Sequence, residues 1–404
     1  MSATSLETLA IRDFRNLAQL DLTLGPEGAV VVGENGHGKT NLLEAAYYLQ
    51  LLRSSRGARD AELVRFGGEG FHVTARGQFA GAREIKVGFV KIGARKRVTQ
   101  DGVEAKRLTD ALGGVPSVLV SPRDVSIVSG APADRRRFLD ITLALSSPTY
   151  LTALAAYRGA LGRRNAALRD GARLGARLGT RAAVASVAAW EPALAEHGAV
   201  LRSERRAWVG THGTDYARLV TAIGERPGSA MRYATRSAPA RADAAAGPMA
   251  DEDDEAGRAR DDESGGDAHE LAAQLREELE CSRARDLRVG LTHAGPHRDD
   301  LQLTLAQRDL RRYGSAGQQR TAALALRLLE LATLRARIGG APLLLLDDPF
   351  AELDDRRAAS VLALLADAGI AQVLLAVPRG SEIPPHFTRL PRFTIAEGAV
   401  RRVA

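Results

Sequence analysis

Gly33-Glu34-Asn35-Gly36-His37-Gly38-Lys39-Thr40-Asn41 is the stretch that decides the fold of this chain, because it matches the phosphate-loop pattern G-x-x-x-x-G-K-[ST]. The apolar run at residues 29–32 predicts a strand before it, and the helical spacing of apolar residues at 42–49 predicts a helix after it. Strand, glycine-rich loop and helix in this order are the setting in which the pattern binds nucleotides. A fortuitous Lys-Thr after an ordinary glycine-rich turn is the less favoured interpretation.

The residue types in this loop suit a triphosphate. Its glycines let the backbone adopt conformations that other residues avoid, so that successive N–H groups point at phosphate oxygens. The following helix presents its positive end to the same oxygens. Lys39 is expected to reach the β- and γ-phosphates, and the Thr40 hydroxyl to bind Mg²⁺. The sequence therefore predicts that the residues from Gly33 to Asn41 line a site for ATP and Mg²⁺.

A second acidic motif follows far along the chain. Residues 343–346 are four leucines, which predict a buried strand, and Asp347 and Asp348 come directly after them. Carboxylate oxygens are ligands that Mg²⁺ prefers, so Asp347 is predicted to hold the ion opposite Thr40. Two solvated acids at the end of a buried strand are the alternative interpretation.

Two further motifs flank these acids. Tyr313-Gly314-Ser315-Ala316-Gly317-Gln318-Gln319-Arg320 lies upstream at a predicted helix start, and Phe350-Ala351-Glu352-Leu353-Asp354 lies downstream. In order, they and the acidic motif resemble the signature, Walker B motif and D-loop of ABC-type ATPases. This resemblance implies catalytic roles for Lys39 and Asp348. It implies nucleotide contacts for a further group from the signature and D-loop: Ser315, Gly317, Gln318 and Asp354. In such ATPases the signature meets the ATP of a second subunit, so an ATP-dependent homodimer is implied.

The chain also resembles the RecF family over nearly its whole length. Besides residues 33–45, the resemblance rests on Phe14-Arg15-Asn16, the block from Ser121-Pro122-Arg123-Asp124 to Arg135-Arg136-Arg137-Phe138-Leu139-Asp140, Tyr157, Arg164-Asn165, and Gly295-Pro296-His297-Arg298-Asp299-Asp300. It implies an α/β fold, with an ABC-type ATPase head of the Rad50 and SMC kind and an inserted, mostly α-helical arm domain.

The implied function is that of a DNA-repair protein. The resemblance implies binding to DNA at gaps or single-strand/double-strand junctions, where RecO and RecR act with the protein to load RecA. It implies roles in replication-fork maintenance and the SOS response. The implied activity is a slow, DNA-stimulated ATP hydrolysis that acts as a switch.

We expect three segments along the chain: an ATPase head at 1–125, a helical arm at 126–285, and the head again at 286–404. Residues 238–267 within the arm contain almost no apolar side chains, and we expect them to be disordered. Eight acids and two arginines give residues 251–263 a charge of −6. Because the whole chain carries +7, the rest of the chain carries +13.

This basic surplus suits a polyanion such as DNA. Arg135, Arg136 and Arg137 are the first DNA-binding candidates. The other candidate clusters are Arg163-Arg164, Arg202 with Arg205-Arg206, and Arg283 with Arg285. Solvated helix faces are the alternative for each cluster, and burial as structural partners is a further alternative for Arg135, Arg136 and Arg137.

Cysteine content and hydropathy narrow the class of protein further. The single cysteine, Cys281, excludes an internal disulfide and a cysteine zinc site. No secretion signal or membrane-length apolar run is visible, so we expect a cytoplasmic protein without a membrane partner.

Two other functions stay open. One is a different SMC-like, Rad50-like or ABC-type head with another partner, which the Arg-Arg-Arg block and the short insertion disfavour. The other is a P-loop enzyme such as a small-molecule kinase, which has no use for a signature or D-loop. One expected feature is missing: Ala376-Val377-Pro378 stands where such ATPases place a His or Thr against the γ-phosphate.

Overall fold

A computed structural model describes residues 4–79, 81–178, 180–236, 268–351 and 353–403, with the backbone alone for 172–178 and 180. Contacts divide the chain into two compact units. The first consists of Met1–Val125, Leu219–Glu225 and Ala316–Ala404, and the second of Ser126–Arg218 and Arg226–Ser315. The chain therefore leaves the first unit after Val125 and returns to it finally at Ala316.

The first unit contains most of the strands, whereas helices dominate the second. In chain order, the strands are β1 (Ser5–Phe14), β2 (Leu17–Thr23), β3 (Gly28–Val32), β4 (Gly70–Gln78), β5 (Glu84–Val90), β6 (Arg95–Gln100), β7 (Val103–Glu104), β8 (Ser117–Val120), β9 (Ser229–Ala234), β10 (Asp300–Leu305), β11 (Arg308–Asp309), β12 (Leu343–Asp347), β13 (Val373–Val377), β14 (Arg392–Ala396) and β15 (Ala399–Arg402). The helices are α1 (Lys39–Leu51), α2 (Asp60–Leu63), α3 (Val125–Ser129), α4 (Pro132–Ser146), α5 (Pro148–Leu178), α6 (Thr180–Ala188), α7 (Glu191–Ile223), α8 (Ala268–Val289), α9 (Leu310–Tyr313), α10 (Ala316–Ile338) and α11 (Asp355–Asp367).

Two six-stranded sheets form the first unit. One is antiparallel, in the order β2-β1-β4-β5-β6-β7. The other has the order β15-β14-β3-β13-β12-β8 and is parallel from β14 to β8. Strands β3 and β12, which precede the phosphate loop and end in the acidic motif, are separated only by β13. Because parallel strands end at the same edge, this order brings the two motifs together.

Helix α1 lies between these two sheets. It contacts β1, β4 and β5 of the antiparallel sheet, and β8, β12 and β13 of the parallel one. Eleven of its thirteen residues are buried. A helix that is covered on every side needs apolar residues on every side, which explains the nearly continuous run at residues 42–49.

Aromatic rings and one amide fix the packing around α1. Tyr48 of α1 and Phe14 of β1 both meet Phe71 of β4 edge to face, with ring centroids 5.3 and 5.2 Å apart. Buried Gln372, just before β13, accepts a hydrogen bond from the Leu6 N–H at 2.7 Å and donates to the Leu6 carbonyl at 2.9 Å. Its side chain therefore pairs with β1 of the antiparallel sheet as another backbone would.

The second unit combines long helices with the small antiparallel sheet β11-β10-β9. Helices α5 and α7 span 31 and 33 residues. In none of the described ranges is a helix both long and apolar enough to cross a membrane.

Ion pairs occupy the interior of this second unit. Asp299 is completely buried and accepts hydrogen bonds from Arg202 Nε at 2.8 Å, from the Tyr233 hydroxyl at 2.8 Å and from the Arg236 N–H at 3.1 Å. Arg202 also pairs with Glu278 at 2.9 Å. Such charges are tolerated inside a protein only when partners satisfy them on several sides.

The motifs of the RecF resemblance that lie in the second unit meet in this interior. Arg135 pairs with Asp300 at 2.7 Å. The Tyr157 hydroxyl lies 2.6 Å from His297 Nδ1, and a Cβ on Gly295 would lie only 2.5 Å from that hydroxyl oxygen. Their particular residue types therefore serve packing in this unit.

The predicted strands beside the two nucleotide motifs are present, and one predicted boundary differs. The second unit extends to Ser315 and not to 285, because β10 pairs with β9. The acidic segment at 238–267 lies outside the described residues.

Asp299→Asn should destabilise the protein, because it leaves Arg202 buried with only part of its compensating charge. We expect the free energy of unfolding to fall by about 3 kcal/mol. Guanidinium denaturation followed by circular dichroism measures this loss. As a control, Asp215→Asn removes an exposed carboxylate that pairs with Arg218 along α7, and should cost less than about 0.5 kcal/mol. Equal costs for the two variants would contradict the structural role of Asp299.

Candidate functional site: a phosphate cradle at the end of the parallel sheet

The phosphate loop joins β3 to α1, and its glycines are required by geometry. Gly38 has φ +112°, which other residues rarely adopt. A Cβ on Gly33 would collide with the carbonyl oxygen of Ile395 on β14. Gly36 also has a positive φ, and no atom lies within 4 Å of the position its Cβ would take. The loop thus presents open backbone to any anion in front of α1.

Lys39 begins α1 and points back over this loop. Its ammonium donates to the carbonyl oxygens of Gly33 and Glu34, the latter at 2.9 Å. Only 6% of Lys39 is exposed. Burial lowers the pKa of this side chain, and the nearby carboxylates of Asp347 and Asp348 act in the opposite direction. A buried cation held by neutral carbonyls is suited to receive a stronger anionic partner.

Thr40 and Asp347 meet at the ends of strands β3 and β12. The Thr40 hydroxyl donates to Asp347 Oδ1 at 3.1 Å. Asp347 ends β12 and is 7% exposed. Burial raises its pKa, which the hydrogen bond from Thr40 partly offsets. A hydroxyl and a carboxylate at this spacing are an oxygen donor set of the kind that binds Mg²⁺, so the residues fit the predicted ion.

Asp348 turns the chain sharply after β12. Its φ is +46°, and its N–H donates to the Ala376 carbonyl of β13 at 2.9 Å. Arg320 of α10, which is 4% exposed, donates to the Pro349 carbonyl at 3.2 Å. The signature-like segment therefore supports the loop that carries the acidic motif.

Several residues of the site were not identified from the sequence. Glu44 of α1 is 1% exposed and pairs with Arg56, with Arg15 at 3.1 Å and with Ser54 at 2.5 Å. Burial alone would raise the pKa of Glu44, but hydrogen bonds from Arg56, Ser54 and Arg15 bring it below the usual value. An acid within an otherwise apolar helix was the signal available in the sequence.

Asn16 is a second residue of this kind. Its amide oxygen accepts a hydrogen bond from Asn41 at 2.8 Å, and a Cβ on Gly38 would lie 3.0 Å from that oxygen. The β1–β2 turn therefore lies directly against the phosphate loop. This contact gives Asn16, which belongs to the Phe14-Arg15-Asn16 motif, a structural role beside the nucleotide site.

Residues 376–378, where ABC-type ATPases place a His or Thr against the γ-phosphate, lie beside the phosphate loop. The Gly33 N–H donates to the Val377 carbonyl at 3.3 Å, so the end of β13 adjoins the loop. No His or Thr follows within residues 378–382, and Glu382 is instead close enough to influence Lys39 electrostatically. The end of β13 therefore offers no His or Thr as a sensor of the γ-phosphate.

The signature and the D-loop each lie at the start of a helix, α10 and α11 respectively. Helix α10 begins at Ala316, directly after Ser315, so Gly317 and Gln318 lie in its first turn. Asp354 caps α11, where its side chain accepts a hydrogen bond from the Arg357 N–H at 2.9 Å. These placements agree with the predicted helix starts, and the nucleotide contacts themselves stay predictions.

The arginine clusters correct the expectation from charge. Arg135 is 4% exposed and tied to Asp300, and Arg136 donates to the Asp299 carbonyl at 2.8 Å. Arg137, the third candidate, is partly exposed. Because Arg135 is a buried structural partner, it is not available to a DNA phosphate in this conformation.

The same correction applies to other candidate clusters. Arg164, Arg202 and Arg205 are each 2% exposed or less. Their carboxylate partners all lie within 3.0 Å: Asp286 and Glu191 for Arg164, Asp299 and Glu278 for Arg202, and Asp140 for Arg205. The prediction that these three contact DNA is wrong, because an interior charge network uses them.

Known proteins share this arrangement. A family model described as the RecF/RecN/SMC N terminal domain matches residues 5–380. The DNA replication and repair protein RecF of Myxococcus xanthus (strain DK1622) is 39% identical over 377 residues, which are 93% of this chain and 91% of that protein. The chain belongs to the RecF family. RecF of Frankia alni (strain DSM 45986 / CECT 9034 / ACN14a) is 37% identical over 405 residues, covering 99% of this chain and 100% of that protein.

A solved structure confirms the fold class. The structure described as the recombination mediator protein RecF–ATP in the RecFOR pathway matches with a TM-score of 0.83 and 27% identity, over 100% of this chain and 99% of that one. The α/β, ABC-type head of the SMC kind that the motifs predicted is therefore present in this RecF-family protein.

Glu44→Gln should destabilise the head, because it leaves the guanidinium groups of Arg15 and Arg56 without their shared anion. We expect a loss of about 3 kcal/mol at pH 7. Since the folded-state pKa of Glu44 is lowered, its contribution is present above the unfolded pKa of about 4.3 and is lost as the pH falls through the folded value. Thermal melts of parent and variant between pH 7 and pH 3 should therefore converge towards the acid end. Glu69→Gln, at an exposed position, is the control and should melt like the parent.

Proposed function

We propose that this protein is an ATP-dependent DNA-binding protein of recombinational repair, whose ATPase cycle opens and closes a homodimer. The observation that carries the proposal is the 3.1 Å hydrogen bond between Thr40 and Asp347, because it unites the phosphate loop and the acidic motif. Two motifs that are distant in sequence form one donor set in front of one helix. That arrangement has no evident use except to hold a metal-bound phosphate.

The residues of the cradle have distinct tasks in this proposal. Lys39 exchanges its contacts with carbonyl oxygens for phosphate oxygens, and its buried charge favours the most highly charged nucleotide. Thr40 and Asp347 would hold Mg²⁺, which would supply positive charge against the β- and γ-phosphates. Asp348 orients the attacking water and accepts its proton. Its side chain is shorter than the glutamate usual in ABC-type ATPases, which is consistent with slow hydrolysis.

Closure of two copies supplies the rest of the site. The start of α10 is the positive end of a long helix, which favours an anion, and Ser315 and Gly317 flank that start. We propose that the γ-phosphate held by Lys39 of the other copy is this anion. ATP then joins the copies, and hydrolysis lets them separate.

The repair role rests on the relatives. The curated proteins that match are named DNA replication and repair protein RecF, and the solved RecF–ATP structure is assigned to the RecFOR pathway. We propose binding at gaps or single-strand/double-strand junctions, DNA-stimulated hydrolysis, and action with RecO and RecR in RecA loading, fork maintenance and SOS induction. The net charge of +7 supports a DNA partner, although many of the arginines serve the interior.

Lys39→Ala and Asp348→Asn should separate binding from hydrolysis. Lys39→Ala should weaken ATP binding about a hundredfold, because it removes the charged hydrogen-bond donor of the cradle, and ATP-dependent binding to gapped DNA should be lost with it. Asp348→Asn should retain both forms of binding but slow hydrolysis about a hundredfold. Equilibrium dialysis, phosphate release and fluorescence anisotropy with a gapped duplex measure the three quantities. Parent-like hydrolysis by both variants would overturn the assignment of this site.

A mixture of two inactive variants tests the trans arrangement. Ser315→Arg should block closure by its bulk but leave ATP binding to the single copy almost unchanged. Mixed with Lys39→Ala, it can form one intact composite site from Lys39 of one chain and Ser315 of the other. Analytical ultracentrifugation with ATP should therefore show partial recovery of the dimer in the mixture. ATP-dependent dimerisation by Ser315→Arg alone, at the parent level, would contradict the proposal.

A further inference from the structure

Arg357 lies beside the start of helix α10 and belongs to none of the motifs that the sequence predicted. Arg357 follows the D-loop in the first turn of α11. Its Nη2 atom donates to Glu225 Oε1 at 2.7 Å, and its Nε atom lies 3.5 Å from Asp354 Oδ2. All of these residues belong to the first unit. One guanidinium therefore neutralises two carboxylates that come from different parts of the chain.

Two glycines make room for this guanidinium. A Cβ on Gly317, in the first turn of α10, would lie 2.6 Å from Nη1 of Arg357. Gly224, at the end of α7, has φ +133°, and its Cβ would lie 3.3 Å from the Arg357 Cγ. The arginine is thus packed between the last residues of α7 and the first turn of the signature helix. A side chain at either glycine would move it.

The electrostatics of this position point to a task. A cation beside the positive end of a helix is unfavourable by itself, so Arg357 stays there because Glu225 and Asp354 hold it. Conversely, either carboxylate without Arg357 would stand unneutralised near the backbone N–H groups that the proposed function assigns to a γ-phosphate. Glu225 has 7% of its side chain exposed, and Thr321 of α10 lies 3.5 Å from its Oε1. Water would screen such a carboxylate only weakly.

We propose that Arg357 is a positioning residue of the trans phosphate site, which holds Glu225 and Asp354 in neutral ion pairs so that a second copy's γ-phosphate can approach the start of α10. It acts through these carboxylates and fixes the D-loop to the signature helix. This inference rests on the proposed ATP-dependent dimerisation. It adds that the residues after α7 control access of phosphate to the signature.

The test compares five variants with the parent, of which Glu225→Gln alone is described with the salt experiment. Arg357→Met leaves two carboxylates at the helix start and should lower the ATP-dependent association constant of the dimer about tenfold at low salt. The Kd for Mg-ATP should not change, because Lys39, Thr40 and Asp347 are untouched. Arg357→Met combined with Glu225→Gln should recover at least half of the lost association on a logarithmic scale, since it removes one offending charge with the cation. Arg357→Lys keeps the charge and should lose about threefold at most. Arg356→Met, at the exposed neighbouring position, is the matched control and should behave like the parent.

Salt supplies a readout that a purely structural role would not produce. The Asp354 side chain is 61% exposed, so salt screens its part of the repulsion although it hardly reaches Glu225. Raising NaCl from 50 to 500 mM should therefore narrow the gap between Arg357→Met and the parent about twofold. Analytical ultracentrifugation with Mg-ATP at both salt concentrations measures this, with melting curves alongside. Should Arg357→Met fail to fold, Arg357→Lys and Glu225→Gln decide the matter: both must dimerise within about threefold of the parent, and a larger loss in either overturns the proposal.

The failure of this inference differs from failure of the proposed function. If the parent itself does not dimerise with ATP, the proposed function is wrong. If the parent dimerises and Arg357→Met dimerises equally well, the inference alone is wrong. A double variant no better than Arg357→Met would also overturn it, because the carboxylates would then not be the cause of the defect.

Discussion

Burial of helix α1 between two sheets is the constraint on which the head depends. The helix that must deliver its amino-terminal end to a phosphate is covered on both sides, so its position is fixed by strands from distant parts of the chain. The T-shaped contacts of Tyr48 and Phe14 with Phe71 hold it on one side. Because interiors pack densely, a shift of α1 would have to disturb both sheets, and the cradle is therefore preorganised before nucleotide arrives.

The same burial explains why charge appears inside the head. Glu44 lies within α1 and binds Arg15 from the β1–β2 turn and Arg56 from the segment after the helix. These contacts bring flanking loops against the phosphate loop, where Asn16 and Asn41 also pair. A buried carboxylate with several donors is costly to break, so the loops around the cradle are held together as one assembly.

The second unit uses charge on a larger scale. Arg164, Arg202 and Arg205 are interior residues, and each is matched by carboxylates within hydrogen-bond distance. The sequence suggests that these arginines form a basic surface for a polyanion. In the structure they form ion pairs inside the second unit instead. In the head, Arg357 is likewise paired with carboxylates, those of Glu225 and Asp354, beside the start of helix α10.

The sequence by itself determined the parallel strands, the phosphate loop and the acidic motif. Local patterns were sufficient for these, because glycine conformations and apolar runs are dictated by neighbouring residues. It also predicted Asp347 opposite Thr40, because a carboxylate and a hydroxyl in these two motifs are the ligands that Mg²⁺ prefers. Only the tertiary structure decided which charges are functional, because a charged residue gives no sign in sequence of whether its partner is water, phosphate or a buried carboxylate. Arg135 and Arg202 look like surface arginines until Asp300 and Asp299, far along the chain, are brought beside them by the fold.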